Sequence, residues 1–266
     1  MTSWHERDSG ILVPDYYRQP SRGVQHWGAC VPRAMITAGL FNPAQVPNLK
    51  VSLDADLDVT IATGVSAWAD QSGNGNNVSQ ATGSAQMARA SNWRNGHAAL
   101  TGAAGKWIAG TYGVALAANC TIYSVLQWPS TVAAQRMAYD GIGASNRILF
   151  ACDNAVALNP ASLLYSGAGM STGSIPSGPV IVRNEFNGAS STSRIEPHGA
   201  AVVTATGNPG TQTALGLTVG ANYLGGSPFE GGGQVANILI YTGAVSAAND
   251  AAIFAFLARK YNIVHT

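Results

Sequence analysis

Three aspartates at alternate positions, Asp54, Asp56 and Asp58, followed by Asp70, are the densest group of ligating side chains in the sequence. Alternate residues of a strand share a face, so a strand running through this stretch would present three carboxylates together. Such a face repels itself unless a cation or solvent intervenes, and Asp54, Asp56 and Asp70 would then hold a Ca²⁺ ion. The competing reading is structural. Asp54 or Asp56 caps backbone amides where the chain enters its folded body, and Asp70 closes the turn from Ser72 to Asn77. The twelve-residue calcium-loop pattern is absent.

Other chemistries find less support. His5, His26, His97, His198 and His265 show no ligand spacing, and no Ser/His/Asp trio suggests a nucleophile. Cys30, Cys120 and Cys152 are too few and too far apart for zinc. They read as free buried thiols, with interchain pairing of Cys30 as the alternative. Glycine runs such as Gly231-Gly232-Gly233 sit between strand-like segments and not before a helix, which makes them turns and not phosphate cradles. Aromatic platforms are left. Sugar rings stack on Trp and Tyr faces while Asn, Asp and Gly at loop tips supply polar contacts. Trp93, Trp107, Tyr112 and Tyr223 are the candidates for glycan binding, whereas Trp68 and Trp128, flanked by strand residues, belong to the core.

The elements that must position these residues read as short strands. Thr121–Trp128, Arg147–Cys152, Pro179–Arg183, Ala201–Thr204, Leu215–Gly220 and Gln234–Tyr241 are apolar runs separated by Gly, Asn and Ser, the pattern of a sandwich or barrel. Asn187-Gly188 and Pro197-His198-Gly199 have hairpin-tip chemistry. One helix is expected at the end, capped by Ser246, with Ile253, Phe256, Leu257 and Tyr261 as its apolar stripe and Asp250, Arg259 and Lys260 complementing its dipole. Five of the twelve prolines and Trp4, Tyr16, Tyr17, Trp27 and Phe41 fall in the first 47 residues. Proline removes ladder donors, so residues 1–48 read as an extended arm. Its aromatic content predicts that it lies against something, either its own domain or a neighbouring subunit, with Trp4, Tyr16, Tyr17, Trp27 and Phe41 as the docking residues if it meets a partner. Charged residues are 10% of the chain and the net charge is +1, which excludes nucleic acid as a partner. No secretory signal and no 18-residue apolar span is found, so no membrane partner is expected.

Leu53-Asp54-Ala55-Asp56 followed by Val65 to Asn77 resembles the opening of concanavalin A-like lectin/glucanase domains of the laminin-G type. Glu185–Ser191 resembles that family's central hairpin. Leu217–Gly220 and Phe229–Tyr241 resemble its late strands, and Val245 through Ile263 its terminal helix. The resemblance covers residues 49 to 264. It implies an all-β fold, a concanavalin A-like jelly-roll β-sandwich with a C-terminal α-helix, so that residues 1–48 form the arm and residues 49–266 the body. A retaining glucanase on this fold would carry a Glu-x-Asp-x-x-Glu strand with two carboxylates about 5 Å apart. Glu6, Glu185, Glu196 and Glu230 never fall in that spacing. With no catalytic residues to name, the chain reads as not an enzyme and without a cofactor unless Ca²⁺ binds. Such domains are frequent in tailed-phage virion proteins and bacterial surface proteins. The first expectation is therefore a virion protein that decorates the capsid or tail, assembled in the host cytoplasm. It would be trimeric and fastened through its arm to the major capsid protein or to its own copies. The alternative is a carbohydrate-binding adhesion module on a phage fibre or on a bacterial cell surface, secreted and facing a cell-surface glycan.

Overall fold

The computed structural model describes residues 41–130, 135–153, 161–174 and 176–264, with two short strands nearer the start. The chain divides into two compact units, Met1–Leu40 and Phe41–Thr266. In the first, β1 (Trp4–Glu6) and β2 (Leu12–Pro14) pair antiparallel with His5 opposite Val13. Of the residues expected to dock a partner, Tyr16, Tyr17 and Trp27, and the side chain of Trp4, lie outside the described residues, as does Cys30.

The second unit is built from two antiparallel sheets. One comprises β3 (Leu49–Asp54), β7 (Ala88–Arg94), β8 (His97–Thr101), β10 (Asn119–Trp128), β15 (Gly178–Asn187), β16 (Ser191–Pro197), β17 (Val203–Gly207) and β19 (Gln234–Thr242). Its order is β17-β16-β15-β10-β19-β8-β7, and β3 joins β19 on the same side as β8. The other sheet comprises β4 (Val59–Ile61), β5 (Val65–Trp68), β6 (Val78–Ser79), β9 (Ile108–Leu116), β11 (Arg136–Asp140), β12 (Leu149–Asp153), β13 (Ala161–Tyr165), β14 (Gly169–Ser174) and β18 (Ala214–Val219). It is ordered β14-β13-β12-β11-β18-β9-β6-β5-β4.

Alternation along each strand assigns the faces. Cys120, Ile122, Leu126 and Trp128 of β10, Val180, Val182 and Phe186 of β15, and Ile238 and Ile240 of β19 enter the inter-sheet core. From the second sheet they meet Trp68, Ile108, Tyr139, Phe150, Leu217 and Val219. The first sheet's other face is also apolar: Tyr123, Val125, Ile181, Leu239 and Tyr241 lie under α1 (Ala247–Tyr261). Strands covered on both faces need near-continuous apolar sequence, which is why β10 and β19 were the easiest to read. In α1, Ser246 accepts from the Asn249 amide, Asn262 ends the helix in the left-handed conformation, and Ile253, Phe254, Leu257 and Tyr261 are buried. Phe254, one residue after Ile253, takes the place in the stripe expected of Phe256. Phe256 is half-buried and its ring meets Phe41 at 5.6 Å.

Two expectations are corrected. The stretch from Asp54 to Asp58 is not a continuous strand: β3 stops at Asp54, the Asp56 amide donates back to Asp54 Oδ1, and Asp58 has a positive φ of 47°. The three carboxylates therefore do not share a strand face. The boundary between arm and body falls after Leu40 and not after Asn48. Asn42 caps a 3₁₀ turn at Pro43–Gln45, Val46 is buried under α1's cluster, and Tyr241 Oη donates to the Pro43 carbonyl. Phe41, named among the arm's docking aromatics, packs on this body. Cys120 and Cys152 are free, buried thiols, and burial raises both well above the ordinary range.

Candidate functional site

On the face of the second sheet turned away from the core, a shallow trough of about 340 Å³ runs across β6, β9 and β18. Its floor is made of small side chains. Thr218 pairs with Ala109 and Ala109 with Ser79, so one residue from each strand lies in a single row. Thr111 stands opposite Gly216 in the next outward-facing row. A Cβ at Gly216 would come within 2.8 Å of Ile142 Cδ1, so the missing side chain is what lets Ile142 settle as a wall. Trp107 and Tyr223, both half-buried, also line the trough. Ser79 and Thr111 are exposed, whereas Thr218 is 1% exposed and its hydroxyl donates to the Gly141 carbonyl.

Both aromatic side chains are held by their surroundings. Trp107 precedes β9, where its amide donates to Ala85 O and its carbonyl accepts from Gln80 Nε2. Tyr223 sits in a turn closed by Asn222, whose Oδ1 accepts from the Leu224 and Gly226 amides. Gly225 in that turn has φ +78°, and a Cβ there would stand 2.6 Å from Trp107 Nε1. Only glycine adopts this conformation freely and also lets the turn close on the indole. One face of Tyr223 is covered by Arg147, whose Cζ lies 5.3 Å from that ring and 5.2 Å from the ring of Tyr165. Arg147 is fixed in turn by Asp140, which is wholly buried: Nη2 donates to Oδ2 at 2.8 Å and Nε to Oδ1 at 3.1 Å. Asp140 also accepts from the Gly141 and Tyr223 amides. Arg147 thus lies within cation–π distance of both Tyr165 and Tyr223, beside a trough lined by uncharged side chains.

Of the four aromatics singled out as glycan platforms, the structure brings Trp107 and Tyr223 together. Tyr112 packs against the inter-sheet core with Lys50 5.1 Å over its ring, and burial pushes its hydroxyl far up. Trp93 belongs to the cluster under α1, 6.0 Å from Tyr261. Arg147, Asp140 and Tyr165 were missed by sequence reasoning. The available signal was a pair of opposite charges, Asp140 and Arg147, flanking Gly141 to Asn146 in a chain with few charges.

The carboxylates proposed for Ca²⁺ are engaged elsewhere. Asp70 accepts from the amides of Ser52, Ser72 and Asn76 and from the Ser72 hydroxyl, closing its loop. Asp54 and Asp56 both contact Lys260, and Asp56 also meets His97 Nδ1 at 2.6 Å and the Ala98 amide. Burial by itself would raise the Asp56 carboxyl, but the Ala98, Lys260 and His97 bonds outweigh it and hold it below the usual range. Among the described residues no group of three or more His, Cys, Asp or Glu side chains is placed to hold a metal ion. The remaining acidic cluster lies between α1 and the first sheet, where Arg183 pairs with Glu185 and Asp250, and Arg194 with Asp250 and Glu196. Each of its carboxylates has an arginine partner.

No protein-family model and no curated protein sequence matches the chain. Solved structures do. A GH54 α-L-arabinofuranosidase soaked with a cyclic sulfate inhibitor matches with a TM-score of 0.55 and 14% identity, over 74% of this chain and 51% of that one. Trypanosoma rangeli sialidase in complex with sialic acid matches at 0.54 and 12%, over 80% and 33%. Domain 4 of AbnA, a GH43 extracellular arabinanase from Geobacillus stearothermophilus, in complex with arabinotriose, matches at 0.51 and 13%, over 77% of this chain and 98% of the domain. At these identities the likeness is one of fold alone. The chain spans about half the arabinofuranosidase and a third of the sialidase. These neighbours run against the expectation of a non-enzyme, since solved chains that share the fold include glycoside hydrolases.

Proposed function

We propose that this chain is a carbohydrate-recognition sandwich of the concanavalin A-like, laminin-G kind with jelly-roll topology, and that it holds sugar rings in the trough between Trp107 and Tyr223. The observation that carries the reading is the pairing of two aromatic side chains, fixed by their surroundings, with exposed hydroxyls on a floor of small residues. Sugar rings offer apolar faces to such platforms and hydroxyls to such a floor. A preorganised site loses little freedom on binding. Support of a second kind comes from the arabinanase domain, which has this fold over almost its whole length and was solved with arabinotriose. We place the recognition in the service of glycoside turnover, because the proteins that share the fold act on glycosides.

Isothermal titration of the full chain with a panel of oligosaccharides tests this. Trp107→Ala and Tyr223→Ala should each weaken binding about tenfold, a loss of about 1.4 kcal/mol, with the thermal midpoint nearly unchanged. Binding that survives both substitutions refutes the trough as the site.

A second reading keeps the trough and adds a place on a phage virion, with residues 1–48 fastening the chain to capsid protein or to fellow copies of a trimer. It rests on the proline and aromatic content of that segment.

A further inference from the structure

We infer that the trough selects uncharged sugars and discriminates against acidic ones such as sialic acid or uronic acids, an inference that rests on the glycan-binding reading. No Asp, Glu, Lys or Arg lines the trough. Arg147, which reaches the trough's Tyr223, is paired with a carboxylate that is itself wholly buried, and its Cζ lies 5.2 and 5.3 Å from the rings of Tyr165 and Tyr223. The neighbouring cation by sequence, Lys106, donates to the Ser84 carbonyl. An acidic sugar placed against Trp107 and Tyr223 would therefore meet no charged partner among the residues that line the trough, only neutral groups to replace the water around its carboxylate. Approaching Arg147, it would also meet the field of Asp140, which cancels the guanidinium charge.

The floor is suited to hydroxyl groups instead. Ser79, Ala109 and Thr218 occupy adjacent strands, so neighbouring members of the row are spaced by about 4.8 Å. Thr218, 1% exposed, keeps its hydroxyl on Gly141 O within the floor, while Ser79 and Thr111 stand exposed as donors or acceptors. Neutral hydroxyls of a pentose or hexose can exchange bonds with such groups without bringing a charge into the trough.

The experiment compares the intact chain's affinity for arabinotriose, cellotriose and N-acetyllactosamine with that for sialic acid and digalacturonic acid, at one ionic strength. At least one neutral probe should bind, the acidic probes should be at least tenfold weaker, and Trp107→Ala and Tyr223→Ala should each weaken the neutral probe about tenfold. Ser79→Lys, which puts a cation at the exposed end of the row, should narrow the gap by improving the acidic probes. Acidic probes that bind as tightly as neutral ones, and are weakened in Trp107→Ala, overturn the selectivity and leave the trough reading standing. No binding by any probe, or binding indifferent to both aromatic substitutions, brings down the trough reading and this inference with it.

Discussion

The Asp140 carboxylate accepts hydrogen bonds from the Arg147 guanidinium and from the Gly141 and Tyr223 amides, so a single wholly buried side chain ties β11, the following turn and the trough's aromatic platform together. Removing one partner of a buried pair strands the other, at a cost of about 3–5 kcal/mol. Asp140→Ala should lose that much stability in urea unfolding and also weaken glycan binding, because Tyr223 loses both its amide anchor and the ordered guanidinium on its ring. The double variant Asp140→Asn/Arg147→Met should cost less than Asp140→Ala, since it leaves no unpaired charge. Equal costs would show that the stranded guanidinium is not the source of the loss. Gly225→Ala should act in the opposite proportion, displacing the Trp107 indole and lowering affinity several-fold for a stability loss of about 1 kcal/mol or somewhat more. Residue chemistry of this kind was only partly legible. Trp107 and Tyr223 were visible as aromatics next to turn residues, but nothing local separates them from Trp93 and Tyr112. Those two are claimed by α1 and by the inter-sheet core, contacts with residues far away in sequence.

At the scale of elements, β10, β15 and β19 announce themselves because both of their faces are buried, and α1 because its caps and apolar spacing agree. The short strands β4 and β6, of three and two residues, give no such signal. Nor does the end of β3, where a run of alternating aspartates looks like a strand face but is a turn. What the aspartates do there is join elements. Asp54 and Asp56 receive Lys260 from the last turn of α1, and Asp56 also binds the start of β8 through His97 and the Ala98 amide. A carboxyl held below its ordinary range binds fewer protons in the folded than in the unfolded state. Its contribution is thus fully present above the unfolded value, about 3.9, and is lost as pH falls through the folded value. Urea midpoints measured from pH 7 down to pH 3 should fall for the wild type, and Asp56→Asn should flatten the acid side of that profile. An unchanged acid slope in the variant would assign the loss to other carboxylates.

For the whole molecule, the boundary at Leu40 has consequences that a boundary at Asn48 would not. Residues 41–48 bring Phe41 onto Phe256, bury Val46 beneath α1 and supply the Pro43 carbonyl that receives the Tyr241 hydroxyl. Burial of a valine and one aromatic contact together amount to about 3 kcal/mol. A chain beginning at Phe41 should therefore unfold at nearly the wild-type urea midpoint, while one beginning at Leu49 should be destabilised by about that amount. Equal stability of the two truncations would return residues 41–48 to the leading segment. The full chain and the chain from Phe41 separate the two settings proposed for the trough. If residues 1–40 fasten copies to each other, the full chain should sediment as an oligomer and the chain from Phe41 as a monomer, with glycan affinity per trough unchanged. A full chain that is already monomeric would remove self-assembly from the virion reading and leave sugar recognition to stand on the sandwich.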